Sequence, residues 1–149
     1  MIELVVTVSM MAGSVLLFSY WFRYTCLLIL SAKTTQDYAG EVAAANQLSF
    51  VRVQTQLQEG GPELAALQAA LDRDYAVVTY LLKHASPAEG ESSIESRMLE
   101  MNYRLMRGWS VLSRRFSTEL SRQALQEMSQ VVAHFANLMG ERASAGAAA

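Results

Sequence analysis

The chain of 149 residues is poor in the residues that build reactive sites: one cysteine, two histidines and two prolines. A single cysteine excludes an internal disulfide framework and a cysteine-built zinc site. Neither histidine sits in a Glu-x-x-His pair, so the di-iron pattern of helical bundles is absent. No glycine-rich phosphate loop and no Gly-x-Ser-x-Gly elbow occurs. Charge is scarce too, at 17% of residues against about 25% in ordinary soluble domains. With 52% hydrophobic residues, that argues against a disordered chain and against a typical soluble globule. The net charge of −2 supplies no basic field for nucleic acid, and no basic, aromatic RNA-module signature is present. Period-two alternation and hairpin dipeptides are missing, so strands are not expected. Few prolines and eight glycines leave room for long helices. The expectation is an all-α, non-enzymatic chain without cofactor or metal.

What is present begins at once. From Leu4 to Phe22, nineteen residues carry no charge; as a helix they measure about 28 Å, close to the ~30 Å of a bilayer's hydrocarbon core. A secretory signal would carry a basic start, whereas the early charge here is Glu3. The reading is a retained single transmembrane helix. Tyr20, Trp21, Arg23 and Tyr24 follow as a membrane-interface belt, aromatic rings beside a cation whose stem can snorkel. A second apolar patch, Cys26, Leu27, Leu28 and Leu30, extends beyond one bilayer thickness and is read as a contact for a partner subunit. Arg23 and Lys33 after the segment, with Glu3 before it, place the C-terminal part in the cytoplasm by the positive-inside rule. Ala12-Gly13-Ser14 permits close helix contact without forming a Gly-x-x-x-Gly motif.

After this anchor and its juxtamembrane segment, residues 1–33, the pattern predicts a small antiparallel bundle of about four helices over residues 34–140 and a disordered, alanine-rich tail over 141–149. Thr34, Thr35 and Asp37 offer helix-start chemistry. A helix is expected from about Gln36 to Gln58, with Val42, Ala45, Phe50, Val53 and Leu57 on a broad apolar face. Glu59-Gly60-Gly61-Pro62 breaks it, glycine ending one helix and proline opening the next. Leu64, Leu67, Leu71, Val78 and Leu81 then mark an amphipathic helix that ends near Ala85. A polar loop follows. A helix starts near Ser92 or Ser93, where Ser92 and Glu95 fit a capping box; its apolar side is Ile94, Met98, Met101, Leu105, Trp109 and Leu112. The spacing loses phase near Phe116, from a break at Ser117 or Thr118 or from one long bent helix, before Met128, Val131, Phe135 and Leu138 lead to an end at Gly140.

Charge divides unevenly. Seven acids and two bases lie from Glu59 to Glu95; six arginines and two glutamates lie from Arg97 to Arg122. The two runs either pair across the bundle or leave an arginine face, Arg104, Arg107, Arg114, Arg115 and Arg122, for anionic lipid or an acidic partner. His84 stands at a helix end and His134 among apolar residues; both read as structural. Cys26 reads as a buried apolar thiol, and the scattered methionines as core filler. Asp72 and Asp74 flank Arg73 on different helix sides and read as surface charge.

One resemblance is carried by Ile2-Glu3-Leu4-Val5-Val6-Thr7-Val8, which is similar to the start of mature type IV pilins and pseudopilins over about a dozen residues. The resemblance implies a filament component with Glu3 as the assembly residue. In that family a sheet-bearing head follows, whereas the remainder here reads as helices. The residues themselves favour a different function. Excess apolar surface without a catalytic constellation points to an accessory or scaffolding subunit of a larger membrane complex, with membrane lipids, other subunits or further copies of itself as partners.

Overall fold

A computed structural model of the chain describes residues 1–32, 36–61, 63–85 and 93–148. Six helices are present and, among the described residues, no strand. A sheet-bearing pilin head is therefore not seen among them. The chain divides into two compact units, Met1–Ala32 and Lys33–Ala149.

The first unit is one helix, α1 (Ile2–Ser31), apolar on every side. Its large side chains from Ile2 to Trp21, Leu4, Met10, Leu16 and Phe18 among them, stand exposed. Its hydroxyls find partners one turn back: Thr7 donates to the Glu3 carbonyl at 2.8 Å, Ser14 to Met10 at 2.9 Å, Ser19 to Val15 at 2.7 Å and Thr25 to Trp21 at 2.9 Å. Hydroxyls satisfied on the helix's own carbonyls amid exposed apolar side chains suit a solvent of lipid. It is long and apolar enough to cross a membrane. Phe18 and Phe22, and Tyr20 and Tyr24, form stacked pairs one turn apart, each with centroids 6.3 Å from one another. Ala32 then leaves the helix with extended backbone.

The second unit holds α2 (Ala39–Asn46), α3 (Phe50–Gln58), α4 (Leu64–His84), α5 (Ile94–Ser113) and α6 (Thr118–Ala148). The hub is α6, which packs against each of the other four. Leu125, Met128, Val131, Val132, Phe135 and Ala136 make its buried spine.

Several boundaries fall where the sequence placed them. Gly60 takes φ 78° after α3 and Gly61 N–H donates to the Gln56 carbonyl at 3.0 Å, closing the helix. The stretch after Phe116 is a break, with α5 ending at Ser113 and α6 starting at Thr118. Asp37 receives the Ala39 N–H at 3.1 Å and so starts α2. Pro62, Thr34, Thr35 and the loop over 86–92, Ser92 included, lie outside the described residues.

Other boundaries differ. The helix expected from Gln36 to Gln58 is two, α2 and α3, parted at Gln47, whose φ of 53° is left-handed. What holds this corner is Asp74, buried on α4, whose Oδ2 accepts from the Ser49 N–H at 2.7 Å and the Ser49 hydroxyl at 3.1 Å. Asp74 is thus no surface charge. The start expected near Ser92 or Ser93 does hold: Ser93 is the N-cap of α5 and accepts from the Ser96 N–H at 3.2 Å.

Gly140 does not end α6 either; the helix continues to Ala148, through the segment expected to be a disordered tail. A Cβ at Gly140 would lie 2.3 Å from the Tyr38 Cβ and 3.3 Å from Val42 Cγ2. The glycine serves close approach of α2, not chain termination. Nearby, Asn137 Oδ1 accepts from the Tyr38 N–H at 2.6 Å and fixes the entry to α2.

Candidate interaction surface

The helix α5 has two faces, and the more polar one is packed. Leu99, Asn102, Tyr103, Met106, Ser110 and Ser113 are buried. Small serines let α5 and α6 approach, and the buried polar side chains of this face are hydrogen-bonded, whereas the buried Nε atoms of Arg114 and Arg122 have no hydrogen-bond partner among the described residues. Asn102 donates to Glu127 Oε1 at 2.7 Å. The Ser110 and Ser121 hydroxyls lie 3.1 Å apart, and Ser121 also donates to the Ser110 carbonyl at 3.0 Å. Tyr103 donates to Asp72 Oδ1 at 3.0 Å while its ring stacks on Tyr75, centroids 3.9 Å apart. Asp72 in turn accepts from Arg107 Nε at 2.9 Å. Paired buried polar groups of this kind specify one packing arrangement without the desolvation cost of unpaired ones.

Electrostatics agree with that burial. Tyr75 is pushed up to about 12 by burial, with Glu100 adding to the shift and Arg104 opposing it. Burial and the Asp72 carboxylate both raise Tyr103. Its hydrogen bond to Asp72 raises Arg107. Burial lowers His134, against Glu95 and Glu141.

The opposite face of α5 is apolar and open. Ile94 is 78% exposed, Leu105 52%, Trp109 45% and Phe116 80%; Met101 and Leu112 join them. These are the residues that hydropathy spacing assigned to the core, so the expectation is inverted. Their spacing explains why they share a line. From Met98 the steps are three, four and four residues, close to the ~3.6 per turn of a straight helix, so the stripe does not wind around the axis. The turn after α5 prolongs it, because Phe116 and Ser117 N–H both donate to the Ser113 carbonyl. Such a continuous exposed stripe marks an interaction surface rather than scattered surface leucines. Covering each half-exposed side chain would contribute about 1 kcal/mol.

The arginines divide. Arg107 pairs with Asp72, Arg114 donates to Gln68, and Arg122 lies 3.6 Å from Glu119. The Nε atoms of Arg114 and Arg122 are buried. All three arginines engage side chains of the protein, though Arg107 remains exposed. Arg104 and Arg115 are exposed, as is Arg97, which the earlier set of five did not contain. Arg97 and Arg104 are seven residues apart on α5, which puts both on one edge of the stripe, about 80–100° from its centre; Arg115 lies in the turn after the helix.

In the first unit Tyr20, Trp21 and Tyr24 are exposed near the C-terminal third of α1, and Arg23 is half-buried between them. Leu27 and Leu28 are exposed, Leu30 is half-exposed and Cys26 is buried. The open part of that patch is therefore leucine alone. The two histidines are not brought together: His84 Nδ1 is 2.8 Å from the Tyr80 carbonyl, and His134 is half-buried on α6. Among the described residues no group of three His, Cys, Asp or Glu could hold a metal. A shallow groove of about 750 Å³, which spacing did not foretell, lies beside the α2–α3 corner and is lined by Gly40, Ala43, Leu48, Ser49, Arg52 and Arg73.

No protein-family model, no curated protein and no solved structure matches the chain.

Proposed function

We propose that this chain is a non-catalytic accessory or scaffolding subunit of a larger membrane protein complex. In this reading α1 is its single-pass anchor and α2–α6 form a small antiparallel bundle, on the cytoplasmic side. Leu27, Leu28 and Leu30 beyond the aromatic belt meet a neighbouring subunit. The observation that carries the reading is α1 itself, a thirty-residue helix whose large apolar side chains stand exposed from Ile2 to Trp21 and whose hydroxyls at Thr7, Ser14 and Ser19 turn onto its own carbonyls. Water would not stabilise so much open apolar surface, while lipid and partner helices would.

Purification from native membranes in mild detergent, with size analysis and mass spectrometry, tests the proposal. A defined assembly at fixed stoichiometry is expected; a homogeneous lone chain would overturn it. Changing Leu27, Leu28 and Leu30 to serine should release the chain from its partners with α2–α6 still folded.

A second reading has support from Glu3, exposed in the first turn of α1, as in the pilin-like start. It predicts self-assembled filaments that Glu3→Ala abolishes.

A further inference from the structure

We propose that the open stripe of α5 lies flat on an anionic bilayer surface, the same bilayer that holds α1. The inference rests on the anchor reading of α1 and adds a second point of membrane contact.

The composition of the face argues for lipid. Ile94, Met101, Leu105, Trp109, Leu112 and Phe116 present aliphatic and aromatic groups in one line, and Trp109 is the side chain best suited to the headgroup boundary. Arg97 and Arg104 lie along one edge of that line, at the level where phosphates would lie, and Arg115 stands exposed in the turn beside Phe116. Two acids adjoin stripe residues in sequence: Glu95, exposed in the first turn of α5, and Glu100, half-buried and more than about 120° around the helix from the stripe's centre. The opposite edge is closed, because Asn102, Met106 and Ser113 are buried. A helix partner that grips α5 in coiled-coil fashion needs both edges, whereas a flat surface needs only the open sector. A straight stripe also suits a plane better than a supercoiled partner. Seven residues, Ala32 to Tyr38, separate α1 from α2 in sequence.

The test uses the full chain in vesicles of phosphatidylcholine alone or with one third phosphatidylglycerol. The chain has two tryptophans, Trp21 and Trp109, so Trp21→Phe leaves Trp109 as the only reporter and Trp109→Phe leaves Trp21. In anionic vesicles Trp109 should be quenched by brominated lipid, with its quenching by aqueous acrylamide reduced several-fold. Changing Arg97, Arg104 and Arg115 to glutamine, with unchanged helical circular dichroism, should restore acrylamide access. If lipid quenches Trp21 while Trp109 stays open to acrylamide in both vesicle types, the docking is wrong and the anchor stands. If lipid does not quench Trp21, anchor and docking fall together. Shielding of Trp109 that ignores lipid charge but follows protein concentration assigns the face to a second copy and overturns the proposal.

Discussion

Both α1 and α5 leave large apolar side chains in the open, yet they do so in different ways. Around α1 the apolar surface is continuous and exposed from Ile2 to Trp21, with burial beginning only at Phe22 and Cys26. Around α5 it is one stripe, and the helix turns its serines, asparagine and tyrosine toward α4 and α6 instead. The difference shows that hydrophobicity alone does not decide which face is packed. A polar face packs when every polar group on it finds a partner, and the apolar face is then left for another surface.

The sharpest way to break this comparison is truncation on either side of it. Leu125→Ala on the buried spine of α6 should cost about 2–5 kcal/mol, read by urea unfolding, because Leu125 is fully buried. Leu105→Ala on the stripe should stay within about 0.5 kcal/mol. Equal losses would mean that the stripe is core after all.

Gly140→Ala comes next. Its new methyl would meet Tyr38, and forcing α2 away should cost about 1–3 kcal/mol, visible as a lowered Tm. A neutral outcome would remove the close approach of α2 to α6.

Asp74→Ala strips the corner between α2 and α3 of its acceptor and leaves the Ser49 N–H unpartnered. A loss of about 1–3 kcal/mol is expected, with amide exchange at Ser49 rising in step.

The smallest effect is a pH dependence. Tyr75 ionises near 12 when folded rather than at its ordinary 10.0, and Tyr103 is raised as well. The unfolded chain loses these protons first, so stability is complete below about pH 10 and declines as pH rises above it. Tyr75→Phe should flatten part of that decline in an unfolding titration.

Much of the architecture was legible locally. An uncharged run over Leu4 to Phe22 gave α1, Leu64 to Val78 gave the buried side of α4, and Gly60-Gly61 and the phase loss at Phe116 gave two breaks. What was not legible depends on residues distant in sequence. Gln47 breaks α2 from α3 without glycine or proline, because Ser49 is held by Asp74, twenty-five residues beyond Ser49. Gly140 looks like a terminator until Tyr38 is seen against it. The interaction surface was half visible: the spacing found the stripe on α5 but assigned it to the core. Its inversion depends on pairs such as Asn102 with Glu127 and Tyr103 with Asp72, which no local window contains. The arginine set split for the same reason, since Asp72 and Gln68 on α4 engage Arg107 and Arg114.

The most direct test of the two-faced α5 is maleimide labelling of single cysteines introduced into a Cys26→Ser background in mild detergent. Leu105→Cys should react rapidly, while Met106→Cys and Ser110→Cys stay protected until the chain is unfolded. Protection at Leu105 with rapid reaction at Met106 and Ser110 would contradict the account, returning the apolar stripe to the core and the polar face to the surface.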